Sequence, residues 1–268
     1  MDRPNRMKLQ SADGAQLNLD ALYQIAPSCF TEVAAPGTGV KRVINFDVLR
    51  QLLGDNAVED APEAYEFNRV GKQAARAEVL EPIKKTLRPV KEDSVDWDNT
   101  QNLYIEGDNL KVLKLLQKSY QGKVKMIYID PPYNTGNDFV YHDDFAMSAD
   151  EYAEASGAVD ELGNKYIKNM DSNGRFHSDW CSMMYSRLMV ARTLLSEDGV
   201  IFISIDDNEV ENLRKICDEV LGENNFVTNI VWQSTAGSNT GTDIVTVTEN
   251  ILVYTKNQYC VKLTFNRL

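Results

Sequence analysis

The residues best suited to chemistry are the four of the sequence DPPY, residues 130–133, which directly follow the apolar run KVKMIYI. Pro131 and Pro132 restrict the backbone and remove two amide donors, so the Pro131 carbonyl has a fixed direction beside the Asp130 carboxylate. These two acceptors suit both hydrogens of an exocyclic amine, and the Tyr133 ring suits stacking on a planar base. The pattern predicts a socket for an amino group on an aromatic heterocycle. The alternative is a proline-rich turn in which Asp130 caps local amides.

Apolar periodicity predicts the elements that position this corner. From about residue 102, strand-like runs alternate with amphipathic helices, which is typical of a parallel, doubly wound α/β sheet. The predicted strands are NLYIEGDN, KVKMIYI, VIFISI, FVTNIVWQ and ENILVYTK, and the predicted helices are DNLKVLKLLQKSY, DWCSMMYSRLMVARTLL and DDNEVENLRKICDEVLG. Chemistry in such sheets lies at the carboxyl ends of strands. Asp130 and Asp206 both follow a predicted strand.

The remaining regions carry weaker signals. Residues 134–179 form a long connection, and connections of this length often line a site. Within it, Phe139 and Tyr141 are candidates for holding a base or DNA, although packing in the core is an equal alternative. We predict an N-terminal extension with a basic helical arm over residues 1–95 and a partial catalytic domain over residues 96–268. Residues 69–91 hold seven basic and two acidic side chains in a chain of net charge −12, which suits either a solvated arm or a phosphate-binding patch.

Other site classes find little support. Acids in DDNEVE, residues 206–211, suit capping of a helix better than metal binding. His142 and His177 lack the spacing of a zinc site, so we predict no metal. APGTGVK lacks the Lys-Ser/Thr of a phosphate-binding loop. No apolar run approaches the ~20 residues of a membrane span. The four separated cysteines suggest reduced thiols in the cytoplasm.

A long stretch of this sequence, NLYIEGDNLKVLKLLQKSYQGKVKMIYIDPPYNTGNDFVYHDDF, resembles the amino-methylating DNA methyltransferases. Among these it is most similar to the modification (Mod) subunit of type III restriction–modification systems. The likeness continues through WCSMMYSRLMVARTLLSEDGVIFISIDDNEVENLRKICDEVLGENNFV and ENILVYTKN, so it spans roughly residues 65 to 257. The resemblance implies a Rossmann-like class I S-adenosyl-L-methionine-dependent methyltransferase fold and transfer of a methyl group to N6 of adenine in DNA.

The resemblance also implies roles for particular residues. Asp130 and the Pro131 carbonyl would hold the adenine amine, with Pro132 fixing the turn. Tyr133 would stack on an adenine flipped out of the duplex. The same likeness places Asp108 and Asp130 near the cofactor, and it suggests Asn134 and Phe139 as further substrate contacts. The implied partners are double-stranded DNA, a second copy of the chain and a restriction (Res) subunit.

One expected motif does not occur. Relatives with DPPY early in the chain carry a Phe-x-Gly-x-Gly cofactor loop late, and this sequence reaches YCVKLTFNRL without it. We therefore expect a fragment, a truncated product or half of a split enzyme with a separate C-terminal half. The sheet would be incomplete, and the KVKMIYI strand would present an unpaired apolar edge. On this interpretation the chain alone neither binds S-adenosylmethionine tightly nor methylates DNA.

Three alternatives remain open at this stage. A restriction nuclease is disfavoured because no acid-x-Lys pair follows residue 130. A non-catalytic methyltransferase remnant could dimerise or bind a restriction subunit. The same fold could also methylate cytosine N4 or an RNA adenine, since an amine socket hardly distinguishes these acceptors.

Overall fold

The structure is a computed structural model that describes residues 11–35, 39–53, 66–136, 139–141, 166–168, 175–233 and 248–261. The chain divides into two compact units, one formed by Asp13–Phe67 and the other by Met1–Ala12 together with Asn68–Leu268. The sequence-based boundary at residue 95 stays a prediction. No helix in the described ranges combines the length and the apolar character that crossing a membrane requires.

The smaller unit contains helices and a hairpin. Helix α1 (Gly14–Ile25) begins at Asp13, whose carboxylate accepts the Gln16 amide hydrogen. Strands β1 (Phe30–Ala35) and β2 (Gly39–Ile44) pair antiparallel. Helix α2 (Phe46–Leu53) follows, as the sequence INFDVLRQLLG predicts.

The larger unit combines four helices with six strands in the described residues. The helices are α3 (Lys72–Leu80), α4 (Asn109–Tyr120), α5 (Phe176–Leu194) and α6 (Val210–Cys217), and α6 continues into a π-helical turn (Asp218–Gly222). The strands are β3 (Val124–Ile129), β4 (Phe139–Tyr141), β5 (Tyr166–Lys168), β6 (Leu195–Ile205), β7 (Phe226–Gln233) and β8 (Thr248–Thr255).

The main sheet has the strand order β3-β6-β8-β7. Strands β3 and β6 run parallel, whereas β8 runs antiparallel to both β6 and β7. The predicted α/β class is confirmed, but the expectation of an all-parallel sheet was wrong. Apolar composition marks a buried strand without encoding its direction, and β7 and β8 are consecutive strands that pair directly with each other. Strands β4 and β5 form a separate antiparallel pair.

The segment before α4 differs from its prediction. NLYIEGDN was expected to form a strand, yet residues 101–106 have no regular secondary structure. Leu103 and Tyr104 are 69% and 92% exposed. Since a β-strand depends on a neighbour for its hydrogen bonds, β-propensity alone does not produce one here.

Helix α5 forms the centre of the core. Its apolar residues recur at three- and four-residue intervals, and Trp180 and Leu188 are fully buried. The opposite layer comes from β6, where Ile201, Ile203 and Ile205 are equally buried. Helices α3, α4 and α6 pack on α5, so this one helix contacts helices that precede the DPPY corner in the chain and one that follows it.

Part of the basic segment is packed rather than free. Lys72 in α3 is 7% exposed and forms a 2.9 Å ion pair with Glu219. Arg76 donates to both Tyr185 and Glu219. These residues fix α3 to the π-helical turn. The alternatives of a solvated arm or a phosphate-binding patch therefore apply only to the exposed remainder, at Lys84, Lys85, Arg88 and Lys91.

Candidate active site

The DPPY corner begins where β3 ends. Ile129 is the last residue of the strand, and the next side chain, Asp130, is exposed to solvent. Pro131 is buried, and Tyr133 is half-buried with its hydroxyl donating a 3.1 Å hydrogen bond to Oδ1 of Asp130. The structure thus brings the predicted carboxylate and the predicted stacking ring together at one edge of the sheet.

The two proline carbonyls differ in their partners. The Pro132 carbonyl accepts a 2.7 Å hydrogen bond from Nε1 of Trp180, whose ring is fully buried in α5. The Pro131 carbonyl accepts no hydrogen bond from any residue that the structure describes. Among the described residues, the Pro132 carbonyl therefore has a donor and the Pro131 carbonyl has none.

The Tyr133 phenol is held as a neutral donor. Burial, followed by the hydrogen bond to Asp130, raises the pKa of Tyr133 well above its usual value of about 10. The nearby carboxylate of Glu249, at the start of β8, acts in the same direction on this pKa. The ring consequently presents an uncharged face at any physiological pH.

Asn134, a predicted substrate contact, is turned into the protein. It is 1% exposed and its backbone has a left-handed φ of 60°, which asparagine tolerates better than most residues. Its Nδ2 donates a 2.5 Å hydrogen bond to Oε1 of Glu209. The structure therefore gives Asn134 a partner inside the protein, and contact with a substrate stays a prediction. Phe139 lies in β4, but its side chain and that of Tyr141 fall outside what the structure describes.

Asp108, the predicted cofactor residue, caps helix α4. Its Oδ1 accepts the Lys111 amide hydrogen at 2.9 Å, and Oδ2 lies 3.5 Å from Nζ of the same lysine. Gly107 precedes it with a φ of 144°, which places the turn in a region that favours glycine. Asp108 therefore acts as the N-cap of α4, whereas a contact with cofactor stays a prediction. The strand expected before Asp108 is the irregular segment 101–106.

The acids after β6 have two different environments. Asp206 accepts hydrogen bonds from the backbone and side-chain nitrogens of Asn208, which agrees with a turn-capping role. Glu209 precedes α6 but makes no side-chain cap bond, and it is fully buried. The capping interpretation was therefore wrong for Glu209, because its carboxylate bonds to side chains and not to the free backbone amides of α6. The described residues contain no group of three metal-ligating side chains.

Several residues of this region were missed by sequence reasoning. Arg187 interrupts the apolar stripe of α5, yet it is 6% exposed, and its Nε donates a 2.7 Å hydrogen bond to Oδ1 of Asn109. This bond fixes the start of α4 next to Asp108. A charged residue at a core position was the available signal, since such residues are rarely buried without a partner. Trp180 offered no comparable signal, because its periodicity predicts only burial.

Comparison with known proteins gives a consistent result at the level of sequence. A family model, N6_N4_Mtase, described as DNA methylase, matches residues 124–267. The chain is 41% identical over 213 residues to the EcoP15I Mod subunit of Escherichia coli, a type III restriction-modification enzyme, covering 78% of this chain and 33% of that protein. It is also 32% identical over 191 residues to the type II methyltransferase M.KpnI of Klebsiella pneumoniae, covering 71% and 40% respectively.

Two solved structures overlap with part of the chain. A putative DNA modification methylase of Thermus thermophilus, complexed with S-adenosyl-L-methionine, overlaps at a TM-score of 0.33 and 18% identity, over 59% of this chain and 54% of that one. The cytosine-N4-specific PvuII DNA methyltransferase overlaps at a TM-score of 0.36 and 12% identity, over 57% and 49%. The assignment of family rests on the sequence match and not on these overlaps.

The sequence match includes the corner and the main sheet. The family model covers more than half of the chain and contains β3, DPPY, β6, β7 and β8. The chain spans about one third of the length of the type III relatives that it matches. By this match, the chain belongs to the family of DNA methylases.

Proposed function

We propose that this chain provides the amine-binding part of the active site of a type III restriction–modification Mod subunit, an adenine-N6 DNA methyltransferase. The observation that carries the proposal is the corner after β3. There, the exposed Asp130 carboxylate, the Pro131 carbonyl and the Tyr133 ring occur within four residues. Relatives described as type III Mod subunits share 41% identity with the chain, which supports the choice of reaction.

The proposed chemistry uses two acceptors and one ring. Asp130 and the Pro131 carbonyl would each accept one hydrogen of the adenine amine. That arrangement draws the nitrogen lone pair out of conjugation with the purine ring and directs it at an incoming methyl group. Tyr133 would stack on the flipped base. Because the Tyr133 hydroxyl donates to Asp130, the carboxylate is already oriented before the amine arrives.

The cofactor that fits this corner is S-adenosyl-L-methionine, which supplies an electrophilic methyl group when bound. A positive sulfonium suits an edge of the sheet that carries several carboxylates, since opposite charges attract. Asp130 follows β3, Asp206 and Asp207 follow β6, and Glu249 starts the adjacent β8. Asp108 at the start of α4 and Asp130 are the residues that we propose to hold the cofactor.

The proposed partners follow from the reaction and from an exposed strand. Double-stranded DNA is the substrate, and a second copy of the chain and a Res subunit are the protein partners that we propose, with the whole assembly in the cytoplasm. Strand β3 is at one end of the described sheet, where Met126 and Tyr128 are 60% and 57% exposed. Exposed strand edges favour pairing with a further strand. We propose that a separate C-terminal half pairs there and supplies the cofactor loop.

The direct test is methyl transfer from radiolabelled S-adenosylmethionine to unmethylated bacterial genomic DNA. The chain is assayed alone and together with the part of the EcoP15I Mod subunit that lies outside the matched 213 residues. The DNA is then digested to nucleosides, and the labelled product is identified as N6-methyladenine or N4-methylcytosine. The expected product is N6-methyladenine, with transfer rising on addition of the second polypeptide.

The matched control replaces the proposed amine acceptor. Asp130→Ala removes this acceptor at an exposed position, so folding should be unchanged. Transfer should fall by about 100-fold or more, as for loss of one preorganised electrostatic group. Label in N4-methylcytosine would move the acceptor to cytosine. Absence of DNA label in both arms would overturn the proposed activity.

A further inference from the structure

A fully buried carboxylate lies directly behind the DPPY corner. Glu209 is 0% exposed, and three side chains from different segments donate to it. Nδ2 of Asn134 and Nδ1 of His177 lie 2.5 Å and 2.6 Å from its Oε1, and Nδ2 of Asn212 lies 2.8 Å from its Oε2. A buried charge requires such compensation, because removal from water is costly unless the group is paired and hydrogen-bonded.

The three donors belong to three different structural elements. Asn134 is the residue after DPPY, His177 lies in the first turn of α5, and Asn212 lies in the first turn of α6. Glu209 and Asn134 are separated by 75 positions in the chain. The carboxylate therefore joins the residue after the corner to the first turns of α5 and α6.

The contact with Glu209 occurs together with an unusual backbone conformation of Asn134. Its φ of 60° is uncommon for a residue other than glycine, and it persists where surrounding interactions determine it. A charge-assisted hydrogen bond to a buried carboxylate is an interaction of that kind. Since Tyr133 directly precedes Asn134, the backbone that carries the stacking ring is fixed at its far end by Glu209.

We propose that Glu209 is a positioning residue of the active site, which holds the DPPY corner in its amine-binding geometry through Asn134. This proposal rests on the function proposed above for the corner. The competing role is a purely structural one, in which Glu209 joins α5 to α6 through His177 and Asn212 and has no particular effect on the corner. The two roles differ in which part of the chain responds when the carboxylate is altered.

The variant Glu209→Gln keeps the size of the side chain and removes its charge. The readout is hydrogen–deuterium exchange of the full-length chain, resolved for the amides of Tyr133, Asn134 and Thr135. We expect these amides to exchange at least about ten-fold faster, while those of α5 and α6 change by less than about two-fold, since local opening is independent of global unfolding. Equal acceleration in both helices, or no change at the corner, would overturn the positioning role.

Glu219→Gln is the matched control. Glu219 also accepts from three side chains, those of Lys72, Arg76 and Tyr185, but it lies in the π-helical turn ten residues further along the chain. The same substitution there should leave exchange at Tyr133, Asn134 and Thr135 unchanged. An equal effect at the corner from Glu219→Gln would show a general loss of stability and would count against the proposal.

Swapping the donor and the acceptor between positions 134 and 209 should restore the hydrogen bond. In the double variant Glu209→Gln with Asn134→Asp, the new amide nitrogen can donate to the new carboxylate while the amide oxygen still accepts from Asn212, and aspartate also tolerates a left-handed backbone. The rate of hydrogen–deuterium exchange at the Tyr133 amide should return to within about three-fold of the unsubstituted chain. Asn134→Asp alone places two carboxylates against each other, so its exchange rate there should be higher than in Glu209→Gln or in the double variant. No slowing in the double variant relative to Glu209→Gln would overturn the pairing.

Methyl transfer separates this proposal from the function on which it rests. In the radiolabel assay, Glu209→Gln should lower kcat by about ten-fold or more with KM for DNA within about three-fold, because a misplaced corner affects reaction more than binding. No label with the unsubstituted chain and its added partner would mean that the proposed function fails, while the exchange result would still decide the role of Glu209. Normal kcat in Glu209→Gln would overturn the positioning role alone.

Discussion

The indole Nε1 of Trp180 donates a hydrogen bond to the carbonyl oxygen of Pro132 across 2.7 Å and 48 positions of sequence. Two consecutive prolines remove two backbone donors from the corner, while its carbonyls and the Asp130 carboxylate remain acceptors. The fully buried indole satisfies one of these acceptors, the Pro132 carbonyl, from inside the protein. What remains on the solvent side is an arrangement that can accept an amine.

Replacing the Trp180 indole should remove its hydrogen bond to Pro132 and part of its packing in the core. Trp180→Phe keeps an aromatic ring in the core but removes the donor and leaves a small cavity. We expect a loss of about 2–3 kcal/mol in the free energy of unfolding, from an unsatisfied buried acceptor and reduced packing. Urea denaturation measures this loss. Trp232→Phe is the control, because Trp232 is 60% exposed and its change should stay within about 0.5 kcal/mol. Equal losses in both variants would contradict the bond to Pro132.

The buried arginine of α5 gives a second prediction. Arg187 donates from Nε to Asn109 and from Nη1 to the Met183 carbonyl at 2.9 Å. Arg187→Met fills a similar length but leaves Oδ1 of Asn109 without this donor, so the free energy of unfolding should fall by about 1–3 kcal/mol. The exposed Arg192 lies on the same helix, and Arg192→Met should cost less than about 0.5 kcal/mol.

A double-mutant cycle tests whether the loss of stability in Arg187→Met arises from the contact with Asn109. Combining Arg187→Met with Asn109→Ala should give a coupling energy of at least about 0.5–1 kcal/mol in urea denaturation, because the two side chains contact each other directly. Additive losses would show that Arg187 stabilises the fold through other contacts than Asn109.

The sequence was informative where residues adjacent in the chain determine the local structure. The repeats of α5, the apolar runs of β3, β6, β7 and β8, and the rigid DPPY turn could all be predicted, because each is determined by residues adjacent in the chain. The family resemblance then supplied the reaction.

Contacts between distant residues were not predictable in this way. The bond from Trp180 to Pro132 and the bond from Asn134 to Glu209 join residues 48 and 75 positions apart. No local pattern distinguishes Glu209 from a helix-capping acid, since both interpretations place an acid before α6. The direction of β8 could not be predicted for a similar reason, because a buried strand has the same composition whichever way it runs.

Thiol reactivity tests the burial of the cysteines. Of the four cysteines, Cys29, Cys181 and Cys217 are buried, and Cys260 is exposed. Burial raises the pKa of the Cys181 thiol to about 12, and it raises that of Cys217 as well. The folded state therefore holds these protons more tightly, so at pH 8 only about one Cys181 thiol in ten thousand would be the reactive thiolate. An aromatic disulfide reagent at pH 8 should modify one thiol rapidly and three more only after denaturant is added.

The variant Cys260→Ser identifies the reactive group. It should abolish the rapid phase without changing the three slow thiols, which respond to unfolding. A rapid phase that persists in Cys260→Ser would show that one of the three buried thiols, Cys29, Cys181 or Cys217, reaches solvent.

Substitutions of Tyr133 separate the work of its ring from that of its hydroxyl. Tyr133→Phe keeps the stacking face and removes the donor to Asp130. We expect kcat/KM in the radiolabel assay to stay within about five-fold of the unsubstituted chain with its added partner, because the adenine amine can replace the lost donor at Asp130. Tyr133→Ala removes the ring, and stacking worth about 1–3 kcal/mol per base corresponds to a loss of about 5- to 150-fold.

Tyr128→Phe is the matched control for the hydroxyl. Tyr128 precedes the corner on β3, and its hydroxyl contacts Oγ of Ser204 rather than a corner residue. Its loss should leave kcat/KM unchanged within about two-fold. If Tyr133→Phe were as damaging as Tyr133→Ala, orientation of Asp130 by the hydroxyl would be the main contribution of this residue, because the ring would still be present to stack. If neither variant lowered kcat/KM, the base would be held by another surface. Asp130 and the Pro131 carbonyl would then bind the amine without stacking by Tyr133.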